Sequence, residues 1–413
     1  MEHTYLTAVN IVKVRHLHDI TIPLSTDKRK HLILTGKNGS GKTSVLEALV
    51  NHFHFVVGRF ETKEDIQNKI DHYQKRLRLL TNATTETDKQ QYLEIKKYLS
   101  FCEDRMKYWT TGAVTECTSF SVLQEKYMSG DFILAYYKAN RLLEVEVSNI
   151  IENIKLKELY KLDETPGKKL IKYMVGLKAT QAFAQQKKEF NRAAEIEEWF
   201  ERFERILKII FDDPSIKLDF DIDNFEFRIL QKNREPFDFN TMSSGYSAVF
   251  EIINDLIIRF EGNQTKSKEG IVLIDEIDTH LHLELQRTVL PFLTTLFPNI
   301  QFIVTTHSPF ILSSIDNAVI FDLETGTLVK DGLSNYPYDG IVESFFDADT
   351  LSVDLRNKLE RYKELTKKED LSDEDYAEII ELEQDLDEIP DFLSPKIASD
   401  YSCMKLEFSN RGD

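Results

Sequence analysis

One stretch of this sequence decides how the rest is interpreted, Gly36-Lys37-Asn38-Gly39-Ser40-Gly41-Lys42-Thr43. It fits the pattern G-x-x-x-x-G-K-[ST], in which glycines let backbone N–H groups surround a phosphate without a Cβ clash. Lys42 is predicted to reach the β- and γ-phosphates of a nucleotide, and Thr43 to offer its hydroxyl to Mg²⁺. The predicted phosphate-binding set extends one residue further and comprises Gly36, Lys37, Asn38, Gly39, Ser40, Gly41, Lys42, Thr43 and Ser44.

The segments on both sides of this turn have the character that the motif requires. Residues 31–34 (HLIL) are a short apolar run, which predicts a strand leading into the turn. The predicted helix after the turn directs the positive end of its dipole at a bound phosphate. Further upstream, residues 6–24 alternate apolar and polar, as half-buried strands do. The predicted helix carries one apolar stripe, formed by Val45, Leu46, Leu49 and Val50.

Two later apolar strands end in side chains that suit phosphate chemistry. Residues 271–274 (IVLI) lead into Asp275, which is placed to hold Mg²⁺, and Glu276, which is placed to act as general base on a water. One helix later, residues 302–306 lead into His307, whose imidazole can donate to a γ-phosphate. We therefore predict that the two strand ends are neighbours. Each pattern alone also fits a core strand followed by acidic loop residues or by a structural histidine.

A second glycine-containing turn, at residues 241–247 (TMSSGYS), precedes an apolar helix. By itself it is typical of an ordinary helix N-cap, and a second anion-binding helix start is the alternative. The order of the motifs separates these interpretations. The glycine-rich turn, the Ser-Ser-Gly turn, the Asp-Glu strand and the His strand follow one another as they do in ABC-type ATPases.

On these residues the chain resembles the RecF/SMC/Rad50 branch of the ABC-type ATPases, over residues 1–60 and 212–315. The resemblance implies ATP and Mg²⁺ as ligands and the hydrolysis of ATP to ADP and phosphate. The run Met242-Ser243-Ser244-Gly245 resembles the L-S-G-G signature of that family. It implies that ATP bridges two copies of the chain, with Ser243, Ser244 and Gly245 of one copy facing the nucleotide of the other.

Two longer runs narrow the resemblance. DEIDTHLH (275–282) and TTHSPFIL (305–312) resemble compact bacterial ATPases related to the overcoming-lysogenization-defect group. They also resemble the ATPase subunits of anti-phage systems such as Septu and PARIS. Within the first run, residues 279–282 fall where the superfamily has its dimer-contacting D-loop.

The chain also departs from the family pattern. DFILAYYKANR (131–141) offers Asn140 and Arg141, and no glutamine, where the Gln-loop is expected. Tyr246 replaces the usual Gln or Glu of the signature. Asp347-Ala348-Asp349 has the form of a nuclease D-x-D motif, but it follows no clear strand, so we predict no nuclease site in this chain.

The element pattern predicts an α/β fold, a P-loop ABC-type head with a mixed N-terminal lobe. The predicted N-terminal lobe covers residues 1–60, and the C-terminal lobe with the signature, Asp-Glu and His strands covers 212–340. A helical insertion occupies 61–211. Within it, residues 64–110 have two heptad-patterned runs, which predict a short coiled-coil hairpin or two helices packed on the core. Residues 341–413 are predicted to form an acidic helical tail.

Charge and composition limit the partners. The 413 residues carry a net charge of -18, which repels nucleic acid except at a local basic patch. The candidate patch for DNA contact is Lys168, Lys169 and Lys172, although such runs are often solvated helix faces. No apolar run approaches the ~20 residues of a membrane helix. We expect a cytoplasmic protein, because no signal peptide is recognisable and the three cysteines lack metal-ligand spacing.

Two uses of an ATP-driven head dimer, or of a higher homo-oligomer, compete at this point. In the first, the chain is the sensor or scaffold subunit of a bacterial anti-phage system and controls a separate effector protein, such as a nuclease. The short insertion, the acidic tail and the lack of an effector motif favour it. In the second, it is a RecF-like DNA repair ATPase that clamps duplex DNA, which the basic stretch and the helical hairpin favour.

Overall fold

The chain forms two compact units, Met1–Tyr338 and Asp339–Asp413. The D-x-D pattern Asp347-Ala348-Asp349 lies outside the described residues, and the predicted four-segment division stays a prediction. The computed structural model describes residues 3–58, 61, 63–80, 86–141, 143–146, 151–152, 154–262, 268–336, 338, 340–342, 353–368, 370–387 and 395–410.

The described strands lie in the first unit and form three sheets. One is a three-stranded antiparallel sheet with the order β2-β1-β4, and β6 and β7 form a separate antiparallel hairpin. That hairpin turns at Asp223-Asn224. The strand bounds are β1 (Leu6–Val14), β2 (Leu17–Pro23), β3 (His31–Thr35), β4 (Gly112–Cys117), β5 (Phe132–Tyr137), β6 (Lys217–Asp221), β7 (Glu226–Leu230), β8 (Glu269–Ile274), β9 (Ile300–Thr305), β10 (Ala318–Asp322) and β11 (Leu328–Val329).

The third sheet has six strands in the order β11-β10-β3-β9-β8-β5, and all its neighbours are parallel except β10 and β11. Every residue of β3, β8, β9 and β10 is buried. Strands that are covered on both faces read as continuous apolar runs, which is why the sequence pattern predicts them. The strand before the glycine-rich turn, the His strand and the Asp-Glu strand are consecutive neighbours, so the predicted adjacency is confirmed.

Helices cover the sheets, and the fold is mixed α/β as predicted. The main core lies where α1 packs between the two larger sheets, through Leu46, Leu49 and Phe53. Among the described residues no helix is both long and apolar enough to cross a membrane. The helix bounds in the first unit are α1 (Lys42–Gly58), α2 (Lys63–Leu79), α3 (Glu86–Thr110), α4 (Phe120–Met128), α5 (Leu170–Gln186), α6 (Phe190–Ile210), α7 (Ser244–Glu261), α8 (Leu283–Leu296) and α9 (Pro309–Leu312).

The two heptad-patterned runs form α2 and α3. Ile66 and Ile70 near the start of α2 cluster with Cys102 near the end of α3, so the two helices are antiparallel. Phe55 of α1 packs against the same cluster. The base of the hairpin is therefore held by the domain core, and the coiled coil stays a prediction.

Among its described residues, the second unit contains the helices α10 (Val353–Lys367), α11 (Asp373–Asp387) and α12 (Pro395–Ser409). Its core includes Tyr362 and Tyr401. A capping box is present at the start of α11: Ser372 N donates to Asp375 Oδ2 at 3.0 Å, and Asp375 N donates to Ser372 Oγ at 3.2 Å. Apolar residues of α12, among them Tyr401, Met404 and Phe408, pack on the other two helices.

His52 on α1 is a buried titratable group that couples stability to pH. Thr115 N of β4 donates to His52 Nε2 at 3.2 Å, so this nitrogen is unprotonated. Burial lowers the pKa of His52 from 6.5 to about 4. A histidine with a depressed pKa in the folded state contributes stability above its unfolded pKa, and this contribution is lost as pH falls from 6.5 through the folded pKa.

We expect His52→Gln to make the first unit less sensitive to acid. Between pH 7 and pH 4.5 the wild-type protein should lose about 2–3 kcal/mol of unfolding free energy through this one residue, and the variant should lose that much less. Urea unfolding at both pH values, followed by tryptophan fluorescence, measures the difference, since both tryptophans lie in the first unit. His18→Gln, at an exposed position of β2, is the control. Equal losses in His52→Gln and wild type would contradict the assignment.

Candidate nucleotide-binding site

The glycine-rich turn between β3 and α1 has the backbone that its sequence predicts. Gly36 and Gly41 have φ values of +132° and +100°, a positive range that residues with a side chain rarely adopt. A Cβ on Gly36 would lie 2.8 Å from Ser40 Oγ. Ser40 Oγ is itself buried and has no hydrogen-bond partner among the described residues. A phosphate oxygen would supply such a partner, so the turn fits the group that its sequence motif implies.

Lys42 begins α1 and is buried inside the site. Its Nζ donates to Gly36 O at 2.9 Å and contacts His307 Nε2. Burial lowers the pKa of Lys42, while the nearby carboxylates of Glu276 and Asp275 oppose the shift. In the described part of the chain no carboxylate forms an ion pair with Lys42. A buried ammonium whose partners are carbonyls and an imidazole lacks a counter-ion, and a phosphate group would provide one.

Asp275 lies just beyond β8 and faces Thr43 across the sheet edge. Its Oδ1 accepts from Thr305 Oγ1 at 2.6 Å and from Thr43 Oγ1 at 3.3 Å. A hydroxyl and a carboxylate side by side are the oxygen ligands that Mg²⁺ prefers, with phosphates and waters completing its shell. No cluster of three or more His, Cys, Asp or Glu residues suited to a metal occurs among the residues described. The pair therefore fits Mg²⁺ held together with a nucleotide and not a closed protein cage.

Glu276 is held by hydrogen bonds to both its backbone and its side chain. Its φ is +44°, and its N–H donates to Thr305 Oγ1 at 2.6 Å. Thr279 Oγ1 donates to Glu276 Oε2 at 3.1 Å. The Thr305 hydroxyl thus accepts from Glu276 and donates to Asp275, so one side chain at the end of β9 aligns both acidic residues of β8.

His307 follows β9 and lies between the glycine-rich turn and the acidic residues Asp275 and Glu276. Burial and the Lys42 ammonium lower the pKa of His307, so the imidazole is neutral at pH 7. In the described contact the Lys42 ammonium donates and His307 Nε2 accepts. The structure therefore brings together Lys42, Thr43, Asp275, Glu276 and His307, the five residues on which the chemistry was predicted to depend.

The signature-like turn lies at the start of α7 and is not joined to this cluster. Ser243 is exposed at the N-cap, and its side chain makes no capping hydrogen bond. Ser244 is also exposed, and a Cβ on Gly245 would lie 2.8 Å from His280 O. No hydrogen bond among the described residues links these three positions to the P-loop. The turn packs against His280, and within the described parts of the chain the side-chain hydroxyls of Ser243 and Ser244 form no hydrogen bond.

The basic stretch is partly neutralised by neighbouring acids. Lys168 forms an ion pair with Glu144, and Lys172 Nζ lies 3.2 Å from Glu146 Oε2. Lys169 is exposed. The three predicted DNA-contacting lysines therefore offer less free positive charge than the sequence alone indicates.

Two residues with clear structural roles in the site were missed or left unassigned at the sequence level. Thr305 was read only as part of the His strand. Arg141 was noted only as standing where a glutamine is expected, yet its guanidinium donates to the carbonyls of Asp275 and Glu276. A threonine at the last position of buried β9, and an arginine in the loop after β5, which pairs in parallel with β8, are the signals that could have pointed to them.

Known proteins that resemble this chain include a retron ATPase and a Septu protein. "Retron Ec83 probable ATPase" of Escherichia coli is 35% identical over 156 residues, which cover 36% of this chain and 29% of that protein. "Septu protein PtuA" of Bacillus mycoides (strain KBAB4) is 24% identical over 372 residues, which cover 87% of this chain and 47% of that protein. The chain thus spans less than half the length of these relatives. The predicted resemblance to Septu ATPase subunits is confirmed.

Solved structures with a similar chain path are SMC heads. The SMC head bound to the C-winged helix domain of ScpA has a TM-score of 0.38 and 16% identity, covering 81% of this chain and 100% of that chain. The SMC head domain from Thermotoga maritima has a TM-score of 0.35 and 12% identity, covering 77% of this chain and 94% of that chain.

The strongest assignment comes from a family profile. Residues 32–313 match the family AAA_21, described as "AAA domain, putative AbiEii toxin, Type IV TA system". The matched region begins inside β3 and ends just after α9, so it contains the glycine-rich turn, Asp275, Glu276 and His307. Because this match covers more than half of the chain, the protein belongs to the AAA_21 family of ATPase domains.

Proposed function

We propose that this protein hydrolyses ATP to ADP and phosphate at the site between β3, β9 and β8. The observation that carries the proposal is the convergence of five side chains from three neighbouring strand ends, Lys42, Thr43, Asp275, Glu276 and His307. Mg²⁺, held by Thr43 and Asp275 together with the nucleotide, would neutralise charge that develops on the phosphates.

Phosphate binding, proton transfer and the orientation of the water are assigned to different residues of the chain. Backbone N–H groups of residues 36–44 and the Lys42 ammonium bind the phosphates. Glu276 accepts the proton of the attacking water, and Thr305 holds its backbone in place. His307 is neutral, so it can donate one ring N–H to the γ-phosphate or to the water while its other nitrogen accepts.

We further propose that two copies of the chain sandwich the nucleotide, at least as a homodimer. The exposed and uncapped Ser243 supports this, because the free N-terminus of a long helix attracts anions. The resemblance of residues 242–245 to the L-S-G-G signature gives the direction: Ser243, Ser244 and Gly245 of one copy would face the γ-phosphate at the other copy's Lys42.

Mixing two inactive variants should test this trans arrangement. Lys42→Ala and Ser243→Arg disable different halves of a shared site, so a mixture should recover about a quarter of wild-type activity, since half of random dimers keep one intact site of two. Steady-state phosphate release from separate and mixed proteins measures the recovery. Lys42→Ala mixed with Glu276→Gln is the matched control, because these two residues belong to the same half and should not complement. Absence of recovery in the first mixture, with wild type active and dimeric, would contradict the proposal.

ATP-driven dimerisation would control a separate effector, in a bacterial anti-phage defence system. The names of the retron and Septu relatives support this use, although the chain spans less than half of their length. The effector is proposed to be a separate protein, such as a nuclease. We place the protein in the cytoplasm, where ATP is available and where free thiols such as Cys102, Cys117 and Cys403 persist.

The second candidate function, a RecF-like clamp on duplex DNA, has weaker support. It depends on positive charge at Lys168, Lys169 and Lys172, and two of these lysines are engaged by glutamates. The net charge of -18 also opposes binding to DNA. Exposed Lys169 keeps the hypothesis open, and a DNA complex whose affinity falls steeply with salt would favour it.

A further inference from the structure

Arg141 is a buried arginine at the edge of the candidate site, just beyond β5. Its Nη1 donates to Asp275 O at 2.6 Å, and its Nη2 donates to Glu276 O at 2.9 Å. A third bond, from Nη1 to Lys138 O at 2.9 Å, anchors the guanidinium to its own loop. Only 2% of the residue is exposed. A flat guanidinium with donors on two nitrogens therefore clamps two consecutive carbonyls of the acidic segment.

The clamp binds a segment whose backbone has an unusual conformation. Glu276 has a φ of +44°, a conformation that is uncommon for a residue with a side chain and must be maintained by its surroundings. The Thr305 hydroxyl holds the N–H of Glu276 from β9, and Arg141 holds its carbonyl from β5. Glu276 is thus fixed from the two strands that flank β8.

Arg141 also interacts electrostatically with a carboxyl group on α7, the helix that begins at the signature-like turn. Glu251, on α7, has a buried Oε2 without a hydrogen-bond partner among the described residues, and Arg141 Nε is buried and unpartnered in the same sense. Burial raises the pKa of Glu251 to about 7, and the positive charge of Arg141 is the largest influence that opposes the shift. Arg141 and Glu251 thus interact electrostatically, and each has a buried polar atom without a partner among the described residues.

We propose that Arg141 is the positioning residue for Glu276, and that Glu251 connects Arg141 to the helix that begins at the signature turn. The proposal rests on the function proposed above and deepens it. Arg141 takes the place in the loop after β5 where the family resemblance leads one to expect a glutamine. It acts on Glu276 through the carbonyl oxygens and contacts no reacting atom. A displacement of α7 would shift the charge of Glu251 relative to Arg141 and so alter the hold on Glu276.

The first test replaces Arg141 by lysine, which keeps the charge but cannot bridge two carbonyls in one plane. We expect kcat for ATP hydrolysis to fall about 10²-fold, the loss that a small displacement of a reacting group produces. KM should change less than about threefold, since the phosphate-binding residues are untouched. Lys138→Ala is the matched control, because this exposed side chain lies in the same loop and only its carbonyl is used. Loss of kcat in Asn140→Ala instead of Arg141→Lys would overturn the proposal.

A double variant separates positioning from general destabilisation. If Arg141 acts through Glu276, Arg141→Lys should not lower kcat further in a Glu276→Gln background, because residues that act as a unit are not additive. A full additional 10²-fold loss in the double variant would show an independent role and overturn the proposal. Melting temperatures with and without ATP verify that every variant is folded and binds nucleotide.

Glu251→Gln tests the connection to α7. We expect kcat to fall severalfold with KM unchanged, and the same substitution to have no effect in the Arg141→Lys background. Unchanged kcat in the single variant would refute the role of Glu251. The proposed function fails separately: if wild-type protein neither binds nor hydrolyses ATP, or if Lys42→Ala hydrolyses it normally, the site itself is wrong. If wild-type hydrolysis depends on Lys42 but not on Arg141, only the positioning role is wrong.

Discussion

Glu276→Gln should bind ATP as tightly as the wild-type protein and hydrolyse it about 10²–10⁴-fold more slowly, which is the usual contribution of a general base. The amide has the shape of the carboxylate and can still accept from Thr279 Oγ1. The backbone bonds to Thr305 and Arg141 do not involve the side chain and are retained. Only the ability to take a proton from water is removed.

Because hydrolysis would open the proposed head dimer, the same variant should accumulate as a closed dimer when ATP and Mg²⁺ are present. Single-turnover hydrolysis measures the chemical step, and light scattering after size-exclusion chromatography measures the assembly. Glu284→Gln makes the same chemical change at an exposed position early in α8 and serves as the control. Normal turnover by Glu276→Gln would show that another group is the base.

Lys42→Ala should weaken ATP binding by at least about 10²-fold, because it removes several charge-assisted hydrogen bonds to the phosphates. Hydrolysis should disappear with binding. Without nucleotide, the free energy of unfolding should stay within about 1 kcal/mol of the wild-type value, because burial of an unpaired ammonium offsets the bonds that it makes. The lowered pKa of Lys42, caused mainly by burial, is the sign of that opposition.

Two measurements on the same samples decide this second prediction. Isothermal titration with a non-hydrolysable ATP analogue gives affinity, and urea unfolding without nucleotide gives stability. Lys13→Ala, which removes an exposed lysine from β1, is the control for loss of charge. Undiminished affinity would show that nucleotide is bound elsewhere, whereas a large loss of stability would show that Lys42 is chiefly structural.

Much of the candidate site could be predicted from local patterns. The glycine-rich turn is contiguous, and its function depends on backbone conformations that only glycine adopts readily, so its eight residues specify it directly. Asp275, Glu276 and His307 each follow a buried apolar run, and parallel strands separated by a helix place their ends at one sheet edge. Motif order and strand context therefore predicted that the ends of β8 and β9 are neighbours, and the structure adds β3 beside β9.

Other features depend on contacts that no local pattern encodes. Arg141 and Asp275 are 134 residues apart in sequence, and the residues next to Arg141 in the sequence do not indicate that its guanidinium binds two backbone carbonyls. The same holds for the pairing of Lys168 with Glu144, which neutralises part of a basic stretch. Tertiary packing brings these groups together, and burial then sets how strongly their charges interact.

By itself, the sequence determined the phosphate-binding turn, the buried strands and the order of the motifs, because each is expressed in residues that are close along the chain. Only the tertiary structure decided how Glu276 is held, through Thr305 from one neighbouring strand and Arg141 from beyond the other. The reason is physical. A backbone carbonyl is present at every residue, so the sequence does not mark the one that a distant arginine will bind, and that choice is made when the strands pair.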